Sequence, residues 1–168
     1  DAYVRAHKDI LDEKVSVSIP GFEMSDGVFV GEGAEINPGA KLTGPAVIGD
    51  NCFVDSGVTL GEYVVLGTGV RLRSGGELER TVVHDNAYIG ENAKMRGAVV
   101  GRASDLRRGV RCDEGVVLGD EVFVGENAVL SGDVKVYPFK TVEAGAVVNT
   151  SLIWESRGAR SLFGRGGV

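Results

Sequence analysis

Residues 48–72 read IGDNCFVDSGVTLGEYVVLGTGVRL, and an aliphatic side chain returns at every sixth place, at Ile48, Val54, Leu60, Leu66 and Leu72. Working outward, the same phase runs back through Leu42, Ile36 and Val30 and forward to Leu78. After a five-residue step it resumes at Val83, Ile89 and Met95. After a second such step it continues at Val100, Leu106, Cys112, Leu118, Val124, Leu130, Val136, Val142 and Val148. Four places after most of these stands a small or β-branched residue, as at Ala34, Ala40, Ala46, Cys52 and Val58, with Gly, Asn and Asp between. A six-residue period of this composition is the signature of a parallel β-helix, whose units cannot bury their apolar edge without neighbours. The fold expected is all-β.

Three hexads per triangular coil give seven coils, beginning at Val30, Ile48, Leu66, Val83, Val100, Leu118 and Val136. Both short steps fall between the third hexad of one coil and the first of the next, so they mark one corner. Period-two alternation turns the ladder residues inward and the residue five places later outward. One outward column then reads Glu35, Phe53, Arg71, Tyr88, Asp105, Phe123 and Thr141. Another reads Val47, Val65, Val117 and Ile153, and there the two short-stepped coils are expected to lack a residue. Exposed apolar columns mark contact surfaces. Phe53, Arg71, Tyr88, Phe123 and the valine face are therefore the candidate contacts, the valine face covered by a leading helix, another domain or a second subunit. Lys140 is a charged residue at an inward position of the last coil, expected to carry its amine out of the open end.

Residues 1–14 (DAYVRAHKDILDEK) keep a different rhythm, with Tyr3, Val4, His7, Ile10 and Leu11 spaced by three and four, and read as a short amphipathic helix. Residues 15–29, with turn signals at Pro20-Gly21 and Asp26-Gly27, form a linker; residues 30–153 are the β-helix and 154–168 a tail.

The 168-residue chain is one solenoid domain in size, with a net charge of −6, and nothing in it has the basic footprint of a nucleic-acid-binding protein. No apolar run reaches the roughly 20 residues of a membrane span. No signal peptide is visible. These absences point to a cytoplasmic home without membrane or nucleic-acid partners. Cys52 and Cys112 lie about three coils, ~14 Å, apart along the stack, too far for a disulfide. Both are expected to be buried free thiols, suited to a reducing compartment.

Hexad solenoids include acyltransferases in which a histidine at a subunit cleft acts as general base. His84, beside Asp85, is the one histidine placed on the coils and is the alternative catalytic candidate. No insertion longer than a turn is present to wall a cofactor site. A three-histidine metal centre is excluded by the same count. No Cys/His cluster, phosphate loop or Gly-x-Ser-x-Gly motif occurs. Basic residues gather between Arg71 and Arg111, and Arg73, Arg107, Arg108 and Arg111 form a candidate anion patch.

Three stretches carry a likeness to a known family: DAYVRAHKDILD at 1–12, the hexads LTGPAVIGDN (42–51) and IGENAKMRGAVV (89–100), and VYPFKTVEAGAVVNTSLIWES at 136–156. They resemble the C-terminal left-handed β-helix of sugar-1-phosphate nucleotidyltransferases, above all the mannose-1-phosphate guanylyltransferases. SLFGRGGV at 161–168 resembles the opening of the phosphohexomutase fold, with Arg165 where a smaller polar residue is usual. The left-handed sense comes from this resemblance and runs against the usual right-handed crossover. The resemblance further implies a parent chain with a catalytic nucleotidyltransferase domain, a magnesium requirement there, and a homo-oligomer. The family's Gly-x-Gly-Thr-Arg nucleotide loop is absent from these residues, so no catalytic or cofactor-binding residue is transferred. The function expected is that of a non-catalytic oligomerisation or regulatory module, for an enzyme joining GTP to mannose 1-phosphate.

Overall fold

The computed structural model describes residues 27–149. They wind into a parallel β-helix of three seven-stranded sheets, each strand hydrogen-bonded to the strand one coil away. The first sheet runs from Val28–Val30 to Lys135–Val136, the second from Glu35–Ile36 to Thr141–Val142, the third from Lys41–Leu42 to Val147–Val148. Every strand is two or three residues long and contains one member of the six-residue ladder. The first strand begins at Val28, two residues before the ladder. The expected leading helix, Ile153 and the tail lie outside the described residues.

The core is the set of stacked inward columns. Leu60, Leu66, Leu72, Leu106 and Leu130 are wholly buried, as are the intervening Val58, Val70, Val110 and Val116. Each buried leucine or valine contributes about 1.5–3 kcal/mol relative to exposure, which lets strands of two residues persist. Backbone N–H groups donate to the next coil throughout, as from Gly49 to the Leu66 carbonyl at 2.8 Å and from Gly101 to Leu118 at 2.8 Å.

The corners explain the turn residues. At the corner between the first and second sheets the chain enters the left-handed region at Gly33, Asn51, Gly69 and Asn86, with φ of 74°, 59°, 72° and 63°. Glycine and asparagine tolerate that region best. Their alternation has a packing cause: a Cβ on Gly33 or Gly69 would run into the amide oxygen of the asparagine in the next coil. The same pairing recurs at the second corner with Gly75 under Asn92 and Gly109 under Asn127. Beside the first corner, Asp50, Asp85 and Asp120 each accept, at 2.9 Å, the backbone N–H of a residue in the preceding coil: Glu32, Thr68 and Arg102.

The two short steps do shorten one corner, but the outward column is not interrupted as the sequence reading expected. Val82 and Val99 stand in register between Val65 and Val117. The lost residue is taken from the turn, where two residues separate the strands Glu77–Glu79 and Val82–Val83. Arg80 makes that turn at φ 45° and Gly97 its counterpart at φ 67°. The buried Thr81 hydroxyl donates to the Glu79 carbonyl at 2.8 Å and accepts the Ala98 N–H at 3.5 Å, closing the tight corner.

Gly101 and Gly76 separate these constraints. A Cβ at Gly101 would collide with the Gly119 backbone, whereas at Gly76 it would meet nothing closer than 3.6 Å, in a column that elsewhere holds Ala93 and Val110. Gly101→Ala is expected to destabilise the fold by on the order of 2 kcal/mol, and Gly76→Ala to leave it unchanged or raise stability by about 0.5 kcal/mol. Urea denaturation of the two variants checks this.

Candidate functional site

The outer face of the first sheet carries an apolar stripe, Phe29, Val47, Val65, Val82, Val99 and Val117, ending at Lys135. It forms a cluster separate from the core. Val47 and Val65 are 1% and 0% exposed although they point away from the tube axis, with Phe29 and Val82 packed beside them. Val99 and Val117 are half-buried. The sequence reading found Val47, Val65 and Val117 but missed Phe29, Val82 and Val99. Counting one place back from each ladder residue, instead of five forward, finds all six, because the short steps remove residues only from the turns.

The outer face of the second sheet presents Phe53, Arg71, Tyr88, Asp105 and Phe123 on successive rungs. The two candidate contact columns thus lie on different faces. At the edge of the second sheet Arg73 donates from Nη1 to the Tyr88 hydroxyl at 3.2 Å, and Arg107 lies over the Tyr88 ring, 5.4 Å from its centroid.

Ion pairing takes up most of the basic cluster. Arg107 pairs with Asp105 at 3.0 Å, Arg111 with Asp113 at 3.1 Å, Arg102 with Asp120 at 3.2 Å and Lys94 with Glu77 at 3.4 Å. Arg80 bridges Glu79 and Glu114. Exposed pairs of this kind contribute about 0–1 kcal/mol each. Within the basic cluster, Arg71 and Arg108 are exposed cations without an ion pair.

His84 occupies a corner column whose other members include Gly31, Gly49, Gly67, Gly101 and Gly119, and it is half-buried. The Asp85 Oδ1 accepts the Thr68 N–H, and no hydrogen bond between Asp85 and His84 is formed. Strands are joined by at most four residues throughout 27–149, so no loop among these residues walls this corner. Among the described residues, no hydrogen bond to a carboxylate orients His84 and no inserted loop stands beside it.

Both cysteines are buried and unbridged. Desolvation pushes the Cys52 thiol up to about 11 and the Cys112 thiol up to about 12, so neither is a nucleophile at neutral pH. The described residues hold no group of His, Cys, Asp or Glu fit to bind a metal ion, and no helix among them is long and apolar enough to cross a membrane.

With the tube and its faces defined, the family can be assigned. Residues 42–153 match the GMPPB C-terminal domain family. The chain belongs to that family. A glucose-1-phosphate adenylyltransferase of Mesorhizobium japonicum is 31% identical over 131 residues, 72% of this chain and 28% of that protein. The bifunctional protein GlmU of Geotalea uraniireducens is 31% identical over 70 residues, 42% of this chain and 15% of that protein. The chain therefore spans well under a third of the length of these relatives. Among solved structures, the UDP-N-acetylglucosamine O-acyltransferase of Moraxella catarrhalis superposes with a TM-score of 0.66 at 14% identity, covering 79% of this chain and 67% of that one. At that identity the likeness shows the fold alone, and it establishes the left-handed parallel β-helix. This domain of the GMPPB C-terminal family is thus the β-helix that accompanies sugar-1-phosphate nucleotidyltransferases.

Asp120, one of the aspartate staples of its first corner, carries a shifted carboxyl. The Arg102 backbone N–H, and then its guanidinium, hold the Asp120 carboxyl below its usual value of 3.8. A carboxylate lowered in the folded state adds stability above its unfolded pKa, and that stability is lost as pH falls through the folded value. The fall in urea midpoint from pH 7 to pH 3 is expected to be smaller in Asp120→Asn than in the parent domain.

Proposed function

We propose that this chain is the non-catalytic module of a cytoplasmic nucleotidyltransferase that joins GTP to mannose 1-phosphate and releases pyrophosphate. Its role is positional. The rigid tube presents the first-sheet stripe to a neighbouring surface, which is a second subunit of the same protein, and so sets the spacing of the catalytic domains. The observation that carries this role is the outward run of Val82, Val99 and Val117, which continues from the already buried Val47 and Val65 and remains partly exposed. Contiguous apolar surface of this kind marks association. The guanylyl and mannosyl specificity draws on the family match and on the resemblance of residues 136–156. The same resemblance, at 161–168, supports a following phosphomannomutase-like domain. Magnesium belongs with the catalytic domain in this reading, as the resemblance implies.

The acyltransferase reading has the shared fold in its favour but lacks an oriented base and a cofactor wall at His84.

One experiment tests the proposal on the longer protein that contains this module. That protein is expected to release pyrophosphate from GTP and mannose 1-phosphate, and the isolated chain to release none. Val99→Glu with Val117→Glu is expected to leave the β-sheet circular dichroism intact while lowering the oligomer mass in light scattering. Pyrophosphate release by the isolated chain, or an unchanged mass, contradicts the proposal.

A further inference from the structure

Two outward valines of the first sheet are sealed, whereas their counterparts in the same column are not. Val99 has a valine on each side, Val82 and Val117, and is only half-buried; Val82, between Val65 and Val99, is half-buried as well. Flanking rungs therefore screen an outward valine only in part. Val47 and Val65 stand in that column at 1% and 0% exposure. The described hydrophobic residues packed against them are Phe29 and Val82, their own neighbours in the sheet. Tyr63, at the adjoining corner, is itself 51% exposed and belongs to the coil of Val65, not that of Val47. The burial is that of a single chain, so a second subunit does not supply it. The residues after Asn149 leave from the seventh coil, about 19 Å along the stack from Val65. A path from there along the stripe passes Val117, Val99 and Val82, which stay partly exposed. The chain before Gly27 arrives at the sealed end instead: the Gly27 carbonyl accepts the Ala46 N–H at 3.0 Å, and Phe29 pairs with Val47.

We propose that this end of the first sheet is the seat of residues 1–14 of the same chain, packed as a helix with their apolar side on Phe29, Val47 and Val65. Tyr3, Val4, His7, Ile10 and Leu11 recur at three and four places, the spacing of one helix face. From Val4 to Leu11 such a helix rises about 10 Å, and from the Phe29 rung to the Val65 rung the tube also rises about 10 Å. A helix laid on a sheet buries the apolar stripe of each against the other. Residues 15–26 suffice for the return to Gly27, since an extended chain advances about 3.3 Å per residue. The cover ends at Val65 and leaves Val82, Val99 and Val117 open, so the helix and a second subunit take different parts of one stripe. Neither contact requires the other.

A nitroxide attached through Asp9→Cys, on the helix side opposite the apolar face, tests the seat by methyl NMR of the whole chain. Cys52 and Cys112 are buried and stay unlabelled. The Val47 and Val65 methyl signals are expected to lose most of their intensity, and those of Val117 and of Val129 on the third sheet to lose far less. Val4→Glu with Leu11→Glu is expected to restore the Val47 and Val65 signals while leaving the β-sheet circular dichroism intact. Chain that carries the nitroxide without isotope, mixed with isotope-labelled chain without the nitroxide, is expected to show no broadening at these valines. Broadening in that mixture assigns the cover to a second copy and overturns the seat. Intensity lost equally along the stripe, no loss at Val47 and Val65, or a loss that Val4→Glu with Leu11→Glu leaves unaltered overturns it as well.

Discussion

Coils in a β-helix stack at about 4.8 Å, so each side chain meets its counterpart in the coils above and below before it meets anything else. Self-stacking is the constraint from which the other features of this domain follow. Inward columns accept only residues that pack against copies of themselves, and the leucine and valine ladders do so with exposures near zero. Corner columns accept only residues that leave room for the next coil. From Gly33 to Asn86 at the first corner, glycine and asparagine therefore alternate, the amide of one coil filling the space that a Cβ of its neighbour would need. Hydrogen bonds between coils then complete the backbone pairing without help from long strands.

The same constraint shows why a chain of this kind tolerates deletions in one place and not in another. A residue removed within a strand would turn every later side chain to the other face. Removed from the corner at Arg80 or Gly97, it costs only a tighter turn, and the register of all three sheets continues. The buried Thr81 hydroxyl replaces the hydrogen bonding that the longer turn provides elsewhere. The outer stripe stays continuous across both shortened corners.

Much of this was legible in the sequence, because a six-residue period survives in one dimension. The three sheets, the inward columns and the turn positions all follow from the spacing of residues such as Ile48, Val54 and Leu60. Val82 and Val99 escaped because the phase was counted forward across the shortened turns. The pairing of the arginines was hidden for a different reason. The partners of Arg102 and Arg80 stand 18 and 34 residues away, one and two coils on, and only the stacked geometry makes them neighbours. The bracing of Tyr88 by Arg73 and Arg107 depends on side-chain direction, which no spacing encodes. Handedness is likewise invisible to the period and came from likeness to other chains.

Cys52 and Cys112 report on the central claim, because they sit in different inward columns of different coils. If the ladder residues stack inside a closed tube, both thiols are sealed off and their thiolates suppressed. Exposure of the folded chain to a thiol-reactive disulfide reagent at pH 7 is then expected to label neither cysteine within hours. Addition of denaturant is expected to release both at once. Rapid labelling of either thiol in the native state would contradict the stacked inward columns, and with them the account of how this sequence folds.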